Sequence, residues 1–326
     1  MRTLVSVLLA AACLAPTAAR AQDRAGVPIE GFPNWEERLL LVLTNRARAD
    51  PQADLADCPE GHCTERACYP DPLPPLAYAL ELNRAAGYVE DGDAARFHAS
   101  VLNDTGTLDH TSPCPLHEDI GQRYLPAGTC EGTVACACQD GVTGCGEVGC
   151  TDAFERMRRF GVGGDRAENL AGTFPTPREA FYAWLWEPTS SPACGFTSEN
   201  GHRKNILTRG LEGMGAGARP DQAQTHWVQD FGPARLAGLL VAGVHEPKRG
   251  GDATAFRVNF FEPEEKAPRR AWVNVGGVCK GLALERGSLT NGTWLASLPV
   301  PTTGCTRYLF TFETDAKTLS GSRNTW

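Results

Sequence analysis

Apolar residues recur at helical spacing through Trp35, Leu39, Leu43 and Ala47. Asn34, with Glu37 three residues on, gives this run a capping-box start, so the pattern predicts a first helix that Asp50-Pro51 stops. Residues 51–75 carry three cysteines and many prolines and read as a bridged loop. A second helical stretch is predicted from about Leu76 to Asn103, loosened at Gly87 and Gly92 and ended by the turn Asn103-Asp104-Thr105-Gly106. Asp152 with Glu155 opens a short helix that Gly161 closes. Thr176-Pro177-Arg178-Glu179 supplies cap, first-turn proline and capping-box glutamate to another. The face of that helix holds Ala180, Ala183 and Trp184, and Glu187 falls at the next helical step. A carboxylate at the end of an apolar stripe needs a partner.

The pattern changes after residue 234. Short β-type runs at 236–244, 255–261, 271–275, 281–284, 294–298 and 307–313 are separated by Gly, Pro and Asn turns, and no helical period appears. Residues 235–326 are therefore read as a small all-β, sandwich-like domain in which a Cys279–Cys305 bridge would join two strands.

The start of the chain changes the compartment. Arg2, an apolar run over 4–15 and Ala19-Arg20-Ala21 read as a secretory signal peptide over 1–21, too short to span a bilayer. Removing it takes Cys13 from a total of 13 cysteines and leaves an even set. In an exported chain that set reads as disulfides, with connectivity open. The spacings C-x4-C and Cys136-Ala-Cys138 are not those of zinc modules. Six cysteines fall in 113–150, which reads as a cysteine-rich insertion. The formal charge of −8 becomes −10 once Arg2 and Arg20 leave with the leader, so no basic field favours nucleic acid. No later stretch is long and apolar enough to be a transmembrane segment, and the expected destination is extracellular or periplasmic.

Common catalytic signatures fail. Gly213-Met214-Gly215-Ala216-Gly217-Ala218 matches G-x-G-x-x-A, but Arg219-Pro220 follows where a helix should begin, so it reads as a glycine-rich strand or turn. There is no P-loop and no G-x-S-x-G elbow, and His117-Glu118 lacks the second histidine of a zincin helix. Of seven histidines, two stand in suggestive settings: His110 in Leu108-Asp109-His110-Thr111-Ser112, and His202 after Gly201. Glu168 in Ala167-Glu168-Asn169-Leu170-Ala171 and Glu187 in Trp184-Leu185-Trp186-Glu187 complete a candidate set. Two imidazoles and two carboxylates can hold a divalent metal with an open water position or act as an acid–base cluster. His62, His98, His117, His226 and His245 read as surface or helix residues, and Trp184, Trp186 and Trp227 as core or cleft wall.

The ordered series Leu43-Thr44-Asn45-Arg46-Ala47-Arg48, Pro75-Leu76, His110, Glu168-Asn169-Leu170-Ala171, Trp184-Leu185-Trp186-Glu187, Gly201-His202-Arg203-Lys204-Asn205 and Trp227-Val228-Gln229-Asp230-Phe231-Gly232 resembles the CAP superfamily, the SCP-like extracellular proteins of the cysteine-rich secretory, antigen 5 and pathogenesis-related 1 type. The likeness covers about 34–232 and is nearer to bacterial members, since Gly201-His202-Arg203-Lys204-Asn205 departs from the animal-type G-H-Y-T-Q. It implies an α+β fold: a CAP-type α-β-α sandwich over 34–234, with the 113–150 insertion, followed by the β domain. It also implies that His110 and His202 bind zinc or a similar divalent cation while Glu168 and Glu187, the catalytic candidates, border the metal or its water.

Four readings of function follow. A secreted, monomeric protein whose metal-bearing cleft binds an extracellular ligand, lipid or protein partner is favoured, because no dedicated nucleophile or oxyanion motif is present. The alternatives are a metal-assisted hydrolase on peptide or cell-envelope substrates, lipid or sterol binding, and a disulfide-hardened structural module.

Overall fold

The structure, a computed structural model, describes residues 33–87, 108–110, 152–218, 226–234, 236, 240–264, 266–314 and 318–324. The expected signal peptide over 1–21, the expected continuation of the second helix beyond Gly87 and the expected cysteine-rich insertion over 113–150 lie outside the described residues.

Helix α1 (Trp35–Ala49) has the predicted capping box: Asn34 Oδ1 accepts from the Glu37 amide, and Glu37 Oε2 accepts from the Asn34 amide, both at 2.9 Å. Asp50 does not simply end the chain's helical run. Its side chain caps a further helix, α2 (Pro51–Ala56), with Pro51 in the first turn where its missing N–H costs nothing. The two-residue strand β1 (Ala77–Tyr78) precedes α3 (Leu80–Gly87), so the second helix begins later than its apolar pattern suggests. Pro74-Pro75 keep the chain extended there, and both the N–H and the C=O of Leu76 are taken by the Asn45 side chain.

There follow α4 (Ala153–Arg159), β2 (Ala167–Ala171), α5 (Pro177–Leu185), α6 (Gly201–Ile206), β3 (Gly213–Gly217) and β4 (Trp227–Gly232). The first sheet has the order β1-β3-β4-β2, with β1 parallel to β3 and the other pairs antiparallel. The glycine-rich stretch is thus a strand. Its composition has a packing cause: a Cβ at Gly215 would lie 1.9 Å from the Asn83 backbone nitrogen, so only glycine lets α3 lie directly on β3.

Eight further strands complete the described chain: β5 (Leu240–Glu246), β6 (Gly251–Phe261), β7 (Arg270–Val275), β8 (Val278–Gly281), β9 (Ala283–Gly287), β10 (Asn291–Val300), β11 (Tyr308–Glu313) and β12 (Thr318–Asn324). They form two antiparallel sheets, β5-β6-β10-β9 and β12-β11-β7-β8. Phe256, Val258 and Phe260 of β6 alternate inward and meet Phe310 and Phe312 of β11 in one core, where the Phe260 and Phe312 rings stack at 4.5 Å.

The expected CAP-type α-β-α sandwich is corrected by this architecture. The described residues form six helices and three mostly antiparallel four-stranded sheets, an α+β fold rich in strand rather than one small sheet between helical layers. The physical reason lies in α1, which is buried from Glu37 to Ala49. Its leucines share a core with the first sheet and α5, and Ala242 and Val244 of β5 belong to that same core. Asn259 of β6 reaches the Val42 carbonyl at 3.3 Å. A helix so enclosed is not an outer layer.

The disulfides Cys58–Cys63 and Cys68–Cys194 are present. The expected Cys279–Cys305 bridge is not: Cys279 is disulfide-bonded, but Cys305 is a free, exposed thiol. Among the described residues no helix is long and apolar enough to cross a membrane.

Candidate functional site

Strand β2 is an edge of the first sheet, and its alternation sends Glu168 to one face and Asn169 to the other. On the Asn169 side, its amide nitrogen donates to Gln229 Oε1 at 3.1 Å, and Gln229 in turn donates to Thr44 of α1 at 3.0 Å. On the Glu168 side stands α4, whose Arg156 guanidinium donates to Glu168 Oε2. Glu168 Oε1 lies 2.8 Å from His110 Nδ1, and Arg156 Nη1 also holds the His110 carbonyl at 3.2 Å.

The second pair is built at the ends of α5 and α6. The apolar stripe of α5 buries Ala180, Phe181 and Trp184, and the Trp184 indole donates to the Leu170 carbonyl at 2.7 Å, fixing α5 on β2. Glu187 follows the helix end. Its Oε2 lies 2.8 Å from His202 Nδ1, and its Oε1 accepts the Arg203 amide at 2.8 Å. The Arg203 guanidinium donates to the Glu187 carbonyl and to Glu65 Oε1, the latter at 2.6 Å.

In both His–carboxylate pairs the glutamate has a second donor, the Arg156 guanidinium for Glu168 and the backbone N–H of Arg203 for Glu187. The imidazoles are accessible, with side chains 44% and 37% exposed, while the glutamates behind them are 1% and 11% exposed. The amides of Asn169 and Asn205 join the pairs. Asn205 Nδ2 donates to Asn169 Oδ1 at 2.8 Å and to the Glu168 carbonyl at 3.3 Å, and Asn169 Nδ2 reaches the His202 carbonyl at 3.3 Å. The His110–Glu168 and Glu187–His202 pairs are thus linked at the β2 edge through the side chains of Asn169 and Asn205.

They do not meet as a four-ligand cage. Among the described residues no group of three or more His, Cys, Asp and Glu side chains is arranged to hold a metal ion. Each glutamate is already committed to an imidazole and to an arginine residue, so the ligands available for a cation are imidazoles. A carboxylate behind a histidine fixes its tautomer with Nδ1 protonated and makes Nε2 the better ligand.

Sequence reading passed over the arginines and Asp230. Asp230 of β4 is opposite Glu168 in the β2–β4 register and has no exposed surface. A charged residue type inside Trp227-Val228-Gln229-Asp230-Phe231-Gly232, a strand buried throughout, was the available signal. Burial, and next the Glu168 carboxylate, push the Asp230 carboxyl well above its ordinary range. Of the other histidines, His226 and His245 are buried rather than at the surface. Burial lowers both imidazoles, His245 to about 4.

No protein-family model matches the chain, and no curated protein matches it.

Proposed function

We propose that this chain is an exported binding protein of CAP-superfamily type, whose ligand site is the β2 edge, with His110 and His202 holding a divalent cation such as zinc. One observation carries the reading: each of the two accessible imidazoles has its Nδ1 tied to a buried carboxylate, with an arginine residue behind that carboxylate. This is the arrangement that presents Nε2 outward as a metal ligand.

Two protein ligands are fewer than the three of a catalytic zinc centre. The cation would be exchangeable, and its remaining positions would go to water or to a donor group of the bound partner. Glu168 and Glu187 act here as orienting groups. Their burial behind the imidazoles, with each carboxylate already accepting a second donor, supports an orienting role over a direct role in hydrolysis. Export is supported by the leader-like start of the chain and by the disulfides, Cys58–Cys63 and Cys68–Cys194 among them.

The test is calorimetric zinc titration of the oxidised protein, alongside a folded His110→Ala, His202→Ala double variant. The expected result is one zinc per chain in the wild type and none in the variant. Equal binding by both would place the metal elsewhere, and none in the wild type would end the metal reading. Turnover of a peptide or cell-envelope substrate that is lost with chelator and regained with zinc would instead favour the hydrolase.

A further inference from the structure

Asp230 is buried completely, and neither of its carboxyl oxygens has a hydrogen-bond donor in the structure. Its cross-strand neighbour on one side is Gly215, which has no side chain to offer, and on the other Glu168, a second carboxyl group. An ionised carboxylate in that position would be desolvated, without a donor, and beside a like charge. Arg156 donates to Glu168, while neither Asp230 oxygen receives a hydrogen bond. One arrangement satisfies the chemistry: a single proton on the carboxyl pair, carried by Asp230 and donated to Glu168.

We propose that Asp230 is a further positioning residue of the site, whose carboxyl O–H donates a hydrogen bond to Glu168, so that Asp230, Arg156 and His110 together hold one carboxylate in place. The raised proton affinity of Asp230 agrees with this geometry. Glu168 remains the acceptor for Arg156 and lies 2.8 Å from His110 Nδ1. The cluster thereby fixes which imidazole nitrogen faces outward. Asp230 touches no ligand itself; its influence passes through Glu168.

The inference stands on the carboxyl pair and needs no metal, although its effect on affinity rests on the zinc reading above. The first experiment is therefore infrared difference spectroscopy of the metal-free protein at neutral pH, wild type against Asp230→Asn. A protonated-carboxyl stretch that shifts in D2O and is absent from Asp230→Asn is expected. Glu37, raised to about 8 by burial, contributes a band of its own that stays in both proteins and cancels. Absence of any Asp230-dependent band overturns the proposal, whatever the outcome with zinc.

The second experiment compares zinc affinity. Asn at 230 still donates to Glu168 and is expected to bind as the wild type does. Leu at 230 has similar size and no donor, and is expected to weaken binding about ten- to a hundredfold, the usual effect of losing a group that orients a ligand. Loss of affinity in Asp230→Asn as large as in Asp230→Leu would show that an ionised carboxylate is required, and would also overturn the proposal. Should Asp230→Leu fail to fold, the infrared comparison decides alone.

Discussion

Glu65 Oε1 and Arg203 Nη1 lie 2.6 Å apart, and neither side chain has any exposed surface. This ion pair ties the loop that follows Cys63 to α6, the helix that carries His202. Arg203 also binds the Leu185 carbonyl at 2.7 Å and Thr189 Oγ1 at 3.0 Å, so one side chain holds three segments together. Removing one partner would leave the other charge buried and uncompensated. Glu65→Ala is expected to cost about 3–5 kcal/mol in urea unfolding, and Glu65→Gln less, because the amide oxygen can still accept. A cost under about 1 kcal/mol for Glu65→Ala would mean that the loop is not anchored through this pair.

The two described disulfides should differ in effect. Cys68–Cys194 joins positions 126 apart in sequence, whereas Cys58–Cys63 spans only 5. Loop-closure entropy predicts about 4–5 kcal/mol for the long loop and about 2 kcal/mol for the short one. Cys68→Ser with Cys194→Ser is thus expected to lower the denaturant midpoint by more than Cys58→Ser with Cys63→Ser, and to loosen the segment leading into α6. Amide hydrogen exchange over 195–206 reads the second effect. Equal midpoints for the two double variants would refute the ordering.

His245 gives the acid limb of stability a specific source. It lies between α1 and the second core, its Nδ1 3.0 Å from the Tyr308 hydroxyl and its Nε2 3.0 Å from the Lys248 carbonyl. Burial lowers its folded-state value to about 4, against an unfolded value of 6.5. The unfolded chain therefore binds the extra proton first. The stability held by neutral His245 is complete above about pH 6.5 and is lost as pH falls toward 4, by about 3 kcal/mol at most. In His245→Gln that component is absent, so the stability gap between wild type and variant should narrow from pH 7 to pH 4. A gap independent of pH would show that the imidazole is not held neutral.

Local chemistry made some of this fold legible and non-local packing hid the rest. The capping boxes at Asn34 and Thr176 were readable because cap and partner lie three residues apart. Period-two alternation marked Phe256, Val258 and Phe260 in the same way. Helix α2 was missed because Asp50-Pro51 reads equally as a stop and as a cap followed by a first-turn proline. The enclosure of α1 was not legible: Leu39 to Leu43 are apolar without interruption, and nothing local says that β5 and β6 supply the second wall. At the site, histidines and glutamates stood out as residue types, while Arg156, Arg203 and Asp230 gained roles only from strand register and helix placement. Cys279 and Cys305 were paired because both lie in the β domain, but a bridge depends on Cα separation in the fold, which sequence does not carry.

Glu37 leads to the last prediction, which runs opposite in sign to that for His245. Its carboxylate accepts from the Asn34 amide at 2.9 Å and from the Ala218 amide at 3.3 Å, yet complete burial raises it to about 8. The hydrogen bonds from Asn34, Asn83 and Ala218 oppose this rise without cancelling it. The folded chain holds this proton more tightly than the unfolded chain does. The corresponding stability is complete below about pH 4.5 and is lost as pH rises through 8. Glutamine at 37 keeps an acceptor for the capping box and carries no ionisable group. Glu37→Gln is therefore expected to match the wild type near pH 5 and to exceed it by a few kcal/mol at pH 9, in urea unfolding at each pH. Parallel pH profiles for the two proteins would mean that Glu37 is ionised in the folded state, with its two backbone donors outweighing the cost of burial.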